Sequence, residues 1–287
     1  MGIEDWLQKI NEEFSRENMP HGKRPFDALA RYSKEKAVAV AFGSDLASYV
    51  FEWFKKNTKE DAHMVGALYS STYFYDGEFW DVEIPVFYGT VNFNPFDSLS
   101  NMPKPILSRL QSNGDESETF AFYWSDCFDY GLGVDSILKD PSASEFGKKF
   151  LSAGHEEIRS AVSLIRPSRL NPRAILDSRM ALEMFFKTYA ALKGRLTEDE
   201  AKKLGHNLQK GFDKYIELSG NFEFEQYREQ LEMFPPIAER YQEQEVTKPD
   251  LWRAFHLTQK IGAAVVREFG ESNIREQVER QMATSNY

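Results

Sequence analysis

Residues 181–194 read Ala-Leu-Glu-Met-Phe-Phe-Lys-Thr-Tyr-Ala-Ala-Leu-Lys-Gly. Leu182, Phe185, Phe186, Tyr189 and Leu192 recur at three- and four-residue intervals, so they share one face of an α-helix predicted over 174–193. Glu183 and Lys187, four apart, form a favourable pair on that helix, and Gly194 stops it. Downstream, Thr197-Glu-Asp-Glu200 is a capping box that opens a second helix, along which Ala201, Leu204, Leu208, Phe212 and Tyr215 continue an apolar stripe. Residues 222–234 predict a short helix ended by Pro235-Pro236, residues 237–241 a turn, and Lys248-Pro249-Asp250 the start of a long helix through Phe269. Four principal helices with short connections make a bundle.

Upstream the composition changes. Residues 1–150 carry 15 basic against 24 acidic residues and hold 27 of the 41 aromatics, whereas residues 151–287 carry 20 basic against 21 acidic. The join is placed at Arg166-Pro167-Ser168-Arg169-Leu170-Asn171-Pro172, where two prolines interrupt any helix. This divides the chain into an aromatic-rich acidic region (1–166), a helical bundle (172–270) and a tail (271–287). Ile3, Trp6, Leu7, Ile10 and Phe14 predict an amphipathic helix over 3–17, a loop with Pro20, Gly22 and Pro25 follows, and residues 33–56 predict a further helix that Gly43 splits. Two readings stand for the next stretch: a hairpin with strands in 65–75 and 79–88 turning at Asp76-Gly77, or a buried helix over 60–75 ending at Gly77. The fold class is mainly α, with a small β element in the N-terminal region on the hairpin reading and a C-terminal four-helix bundle.

A chain of 287 residues with 41% hydrophobic side chains can bury a large core, which excludes disorder. The single Cys127 excludes an internal disulfide. No leader and no run of 18 apolar residues marks the chain for secretion or a membrane, so the expected compartment is the cytoplasm. A net charge of −10 opposes an extended duplex-DNA surface. Asp126, Asp129 and Asp135 around Cys127 fit no calcium or zinc spacing; they are read as a loop in which Asp caps helices and glycines turn the chain. Asp61 and His63, two apart, would not face each other on a helix, and Pro20 separates Arg16 from His21. No metal and no cofactor is expected. Trp80 and Trp124 read either as core or as a recognition surface, and the core reading is the stronger.

The order Ala-Leu-Glu-Met-Phe-Phe-Lys (181–187), Leu-Gly-His-Asn-Leu (204–208), Pro-Pro-Ile-Ala-Glu-Arg-Tyr (235–241), then a helix carrying Arg253 and His256, resembles the HEPN-like helical bundles over residues 172–270. Residues 1–170 resemble no family. The resemblance implies a bundle that dimerises. It also implies either a metal-independent ribonuclease or a non-catalytic nucleotide- or RNA-related binding module, in stress and phage-defence settings. Catalytic members carry an Arg, four to six residues, then a His at the start of the final helix; Arg253-Ala-Phe-His256 leaves a gap of two. Cleavage needs a general base and a charge stabiliser placed against one phosphate, and the shorter gap rotates one group away.

The expected function is therefore a non-catalytic HEPN-like regulatory or binding protein. It is expected to self-associate as a homodimer and to take RNA, a nucleotide or a protein as partner. Lys260 extends the Arg253–His256 stripe as a phosphate-gripping cation, His206 is expected to hydrogen-bond to a neighbouring helix, and Arg240 and Tyr241 line a groove or cap the bundle. Two alternatives remain: a divergent metal-independent ribonuclease using Arg253 and His256, and a small-molecule enzyme with its site in the N-terminal region near Asp126 and Asp129.

Overall fold

The computed structural model describes residues 2–37, 44–58, 67–85, 93–166, 171–239 and 245–285. The chain separates into two compact units, the first ending at residue 66 and the second beginning at residue 67. In the first, α1 (Ile3–Arg16), α2 (Arg24–Lys36) and α3 (Asp45–Asn57) bury Trp6, Leu7, Ile10 and Phe14 against Ala28, Leu29, Ala47, Val50 and Phe54. Pro25 lies in the first turn of α2, where its missing N–H costs nothing, so that helix starts inside the stretch expected as a loop. Ser44 caps α3 by accepting the Ala47 N–H. The helix expected over 33–56 is thus two helices, and Gly43 lies outside the described residues.

The second unit opens with the hairpin. Strands β1 (Tyr69–Tyr75) and β2 (Glu78–Ile84) pair antiparallel, with Tyr69 opposite Ile84, Ser71 opposite Val82 and Tyr73 opposite Trp80. Asp76 (φ 53°) and Gly77 (φ 80°) both occupy the left-handed region that a tight two-residue hairpin turn requires. Alternation sends Tyr69, Ser71, Tyr73, Val82 and Ile84 inward. Arg166 fastens the sheet, with Nε 3.1 Å from Asp81, and Nη2 bonded to Glu83.

After a short α4 (Lys104–Ser112) come the long helices α5 (Gly114–Lys139), α6 (Glu145–Ile165) and α7 (Arg173–Leu192). The join expected at 166–172 is not a domain boundary. Helices α5 and α6 before it, and α7 and α10 (Lys248–Phe269) after it, share one core. One helix ends at Ile165 and the next starts at Arg173 without ending the core, so the bundle is not confined to 172–270. Glycines allow the approach. A Cβ on Gly154 of α6 would stand 2.9 Å from Phe185, and one on Gly262 of α10 2.7 Å from it, so α7 is gripped from two sides at Phe185. Residues 126–135 are likewise not a loop: they lie within α5, where Gly131 and Gly133 admit Tyr69 and Val266 at separations a side chain would forbid.

The second helix of the expected bundle is broken. Thr197 and Glu200 form the capping box of α8 (Glu198–Leu204), but Gly205, at φ 55°, turns the chain, and Asn207 caps α9 (Leu208–Ser219) through the Lys210 N–H at 2.9 Å. Residues 222–233 form 3-10 turns in place of an α-helix. The expected tail carries a further helix, α11 (Ile274–Ser285), packed on α5. Among the described residues no helix is long and apolar enough to cross a membrane.

Candidate functional site

Helix α10 begins with a capping box in which Thr247 and Asp250 satisfy each other's backbone N–H. Arg253 follows on the outer surface, 67% exposed, bonded to Asp250. His256, one turn further on, has different partners: its ring stacks on Trp252 at 4.9 Å and an interplanar angle of 1°, and meets Tyr123 edge-on at 5.6 Å. Burial, reinforced by Lys260 and Arg275, pushes the imidazole down to about 4. At neutral pH the ring is an uncharged aromatic plate, and Arg253 is engaged on a different partner.

Lys260 continues the stripe into a cleft of about 370 Å³ between α10, the 3-10 turn Phe222–Tyr227 and α11. Its ammonium lies 5.0 Å above the Tyr227 ring. Among the described residues, Nζ of Lys260 makes neither a hydrogen bond nor an ion pair, whereas the other cations of the cleft are committed. Arg267 gives Nε to Asp129 at 2.6 Å and Nη2 to Asp126; Arg275 gives Nη1 to Asp126 at 3.1 Å and Nε to Glu279 at 2.8 Å. Asp129 also accepts the Ser272 hydroxyl at 2.8 Å and the backbone N–H groups of Ile274 and Arg275 at 2.7 and 3.1 Å. The two buried aspartates therefore hold the N-terminus of α11 on α5. Asp135, on the exposed side of α5, pairs with Lys139 at 2.7 Å. Cys127 is buried, and burial pushes its thiol up to about 12. Asp126 and Asp129 are thus engaged in ion pairs and hydrogen bonds, and burial disfavours the Cys127 thiolate.

His206, in the turn between α8 and α9, sets Nδ1 3.1 Å from both carboxylate oxygens of the buried Glu183. Lys187 donates to the same carboxylate at 2.7 Å and to the Gly205 carbonyl at 2.7 Å, and Arg179 donates to the His206 carbonyl at 2.6 Å. This knot fixes the turn to α7, and none of its residues lines the cleft at Lys260. Arg240, Tyr241, Asp61 and His63 lie outside the described residues. Arg16 pairs with Glu12 at 3.8 Å. Trp124 is buried and stacks on Phe93, and half-buried Trp80 donates to the Tyr75 carbonyl at 2.9 Å, so both pack into the second unit.

Sequence reasoning reached Lys260 but not its neighbours Tyr227, Arg267 and Arg275. Arg267 was within reach, seven residues beyond Lys260 and so on nearly the same helical face. Tyr227 and Arg275 come from elements whose docking no local pattern encodes. Among the described residues, no group of three His, Cys, Asp or Glu side chains is placed to hold a metal. No family model, no curated protein and no solved structure matches the chain.

Proposed function

We propose that this chain is a non-catalytic, HEPN-like binding or regulatory protein that self-associates through its helical bundle, in the stress or defence settings where such bundles occur. The observation that carries the non-catalytic reading is the state of His256. A general base for phosphodiester cleavage needs an accessible imidazole of near-neutral pKa beside a free charge stabiliser. Here the half-buried imidazole stacks on Trp252, meets Tyr123 edge-on and is pushed down to about 4 by its surroundings, and Arg253 is bonded to Asp250. Binding remains open to the cleft at Lys260, whose unpaired ammonium beside Tyr227 suits an anionic group such as the phosphate of a nucleotide or RNA end.

The test is cleavage of single-stranded RNA and transfer RNA by the purified full chain without added metal. Intact RNA is expected with the wild type, Arg253→Ala and His256→Ala alike. Cleavage by the wild type that disappears in both variants would establish the divergent ribonuclease instead.

A further inference from the structure

A second and larger cleft, about 560 Å³, opens between residues 67–70, at the start of β1, and the outward side of α6. His155 and Arg159, one turn apart on α6, share its wall. The buried Tyr130 of α5 sets its hydroxyl 3.3 Å from Nδ1 of His155, and the rings of Tyr130 and Tyr69 flank the imidazole at 5.8 and 6.3 Å. The ring is thereby positioned through one nitrogen, and Nε2 makes no hydrogen bond among the described residues. Burial first, then the Arg159 charge, push this imidazole down, which keeps it neutral and fixes Nε2 as an N–H donor when Tyr130 donates to Nδ1.

Most other polar groups of the cleft are engaged within the fold. Arg166 is bonded to Asp81 and Glu83, and the hydroxyls of Ser70, Ser160 and Ser163 donate to Glu83, Asp177 and the Arg159 carbonyl. Among the described residues the Arg159 guanidinium has only a 3.4 Å contact to Glu156, with both side chains at least 60% exposed. A pair this long and this wet contributes little and yields to a better acceptor. The Arg159 guanidinium and His155 Nε2 are thus donors free to turn to a ligand, next to the apolar side chains of Leu68 and Val162, with the ion-paired Arg166 also in the wall.

We propose that this cleft binds a small organic phosphate monoester, its phosphate gripped by Arg159 and the Nε2–H of His155 and its organic body laid on Leu68 and Val162. A tetrahedral phosphate offers separate oxygens to the two donors, and the volume is that of a small-molecule site. The proposal stands apart from the reading of Arg253, His256 and Lys260, which line no part of this cleft.

The test titrates the full chain with phenyl phosphate while the His155 ring is followed by NMR, assigned with His155→Gln. Saturable movement of the His155 resonances is expected. Arg159→Ala, at an exposed position, is expected to weaken binding about tenfold or more, and Arg253→Ala to leave it unchanged. Inorganic phosphate, which lacks the body, and benzoate, which lacks the tetrahedral oxyanion, are expected to bind more weakly. By isothermal calorimetry, His155→Gln, which keeps an N–H donor, should retain part of the affinity that His155→Phe loses. No movement at about 10 mM phenyl phosphate, where even millimolar affinity would saturate the site, overturns the proposal. So does binding that Arg159→Ala leaves intact, and benzoate binding as tightly as phenyl phosphate overturns the assignment to phosphate.

Discussion

His256 shows how an environment can remove a residue from chemistry without removing it from the fold. Burial first, then the charges of Lys260 and Arg275, favour the neutral ring. The consequence reaches stability. Because the folded-state value, about 4, lies below the ordinary histidine value of about 6.5, the unfolded chain takes up a proton that the folded chain refuses as pH falls between the two. Stability contributed by the neutral ring is therefore complete above pH 6.5 and lost on the way down to pH 4, on the order of 2 kcal/mol after allowance for partial exposure. His155, also pushed down by burial, adds to the slope with the same sign. Urea unfolding at pH 7 and pH 5 is expected to show the loss, and His256→Phe, which keeps the stack, should make the two midpoints converge in part. An unchanged pH slope in that variant would mean that the ring is not held neutral by its surroundings.

At the scale of elements, glycine decides how closely α6, α7 and α10 approach. Alanine at position 262 would gain about 1 kcal/mol in helix propensity. Its Cβ, however, would stand 2.7 Å from Phe185, a ring already confined by Gly154 on the opposite helix. Overpacking of this kind costs about 1–3 kcal/mol, so Gly262→Ala is expected to be net destabilising by about 1 kcal/mol, seen as a lower urea midpoint at unchanged m-value. A rise in the midpoint would show that Phe185 has room to move.

These contacts also mark where the sequence stopped being legible. The apolar stripe over 174–193, the Glu183–Lys187 pair, the Thr197 capping box and the Asp76-Gly77 turn are local patterns, and each is present in the structure. The glycines in α5 misled because a glycine-rich stretch with aspartates looks like a loop until the partner helix that needs the space is known. The apolar stripe from Leu204 to Leu208 crosses a break between helices because four-residue spacing survives a capped turn. The anchoring of α11 by Asp126 and Asp129, about 140 residues away in sequence, has no local signal at all.

For the molecule as a whole, the boundary moves from 166–172 to 66/67, because long-range packing rather than composition defines a domain. The aromatic-rich stretch is mostly core: Tyr73, Phe120, Tyr123, Trp124 and Tyr130 are all buried in the second unit. The expected assembly is a symmetric homodimer. Residues 151–287 carry 20 basic and 21 acidic side chains, so this part of the chain offers little electrostatic self-repulsion. Sedimentation velocity at tens of micromolar should show twice the 33.2 kDa chain mass, whereas a monomer at that concentration would contradict self-association.

The non-catalytic reading rests on the imidazole of His256, and NMR titration of that ring in the full chain tests it most directly. With the resonance assigned through His256→Gln, the ring is expected to stay neutral from pH 8 down to about pH 5, as burial holding it near 4 requires, and to be unmoved by an RNA oligonucleotide. A midpoint at or above the ordinary histidine value of about 6.5, shifting further when RNA is added, would place an accessible acid–base group on α10 and contradict the non-catalytic reading.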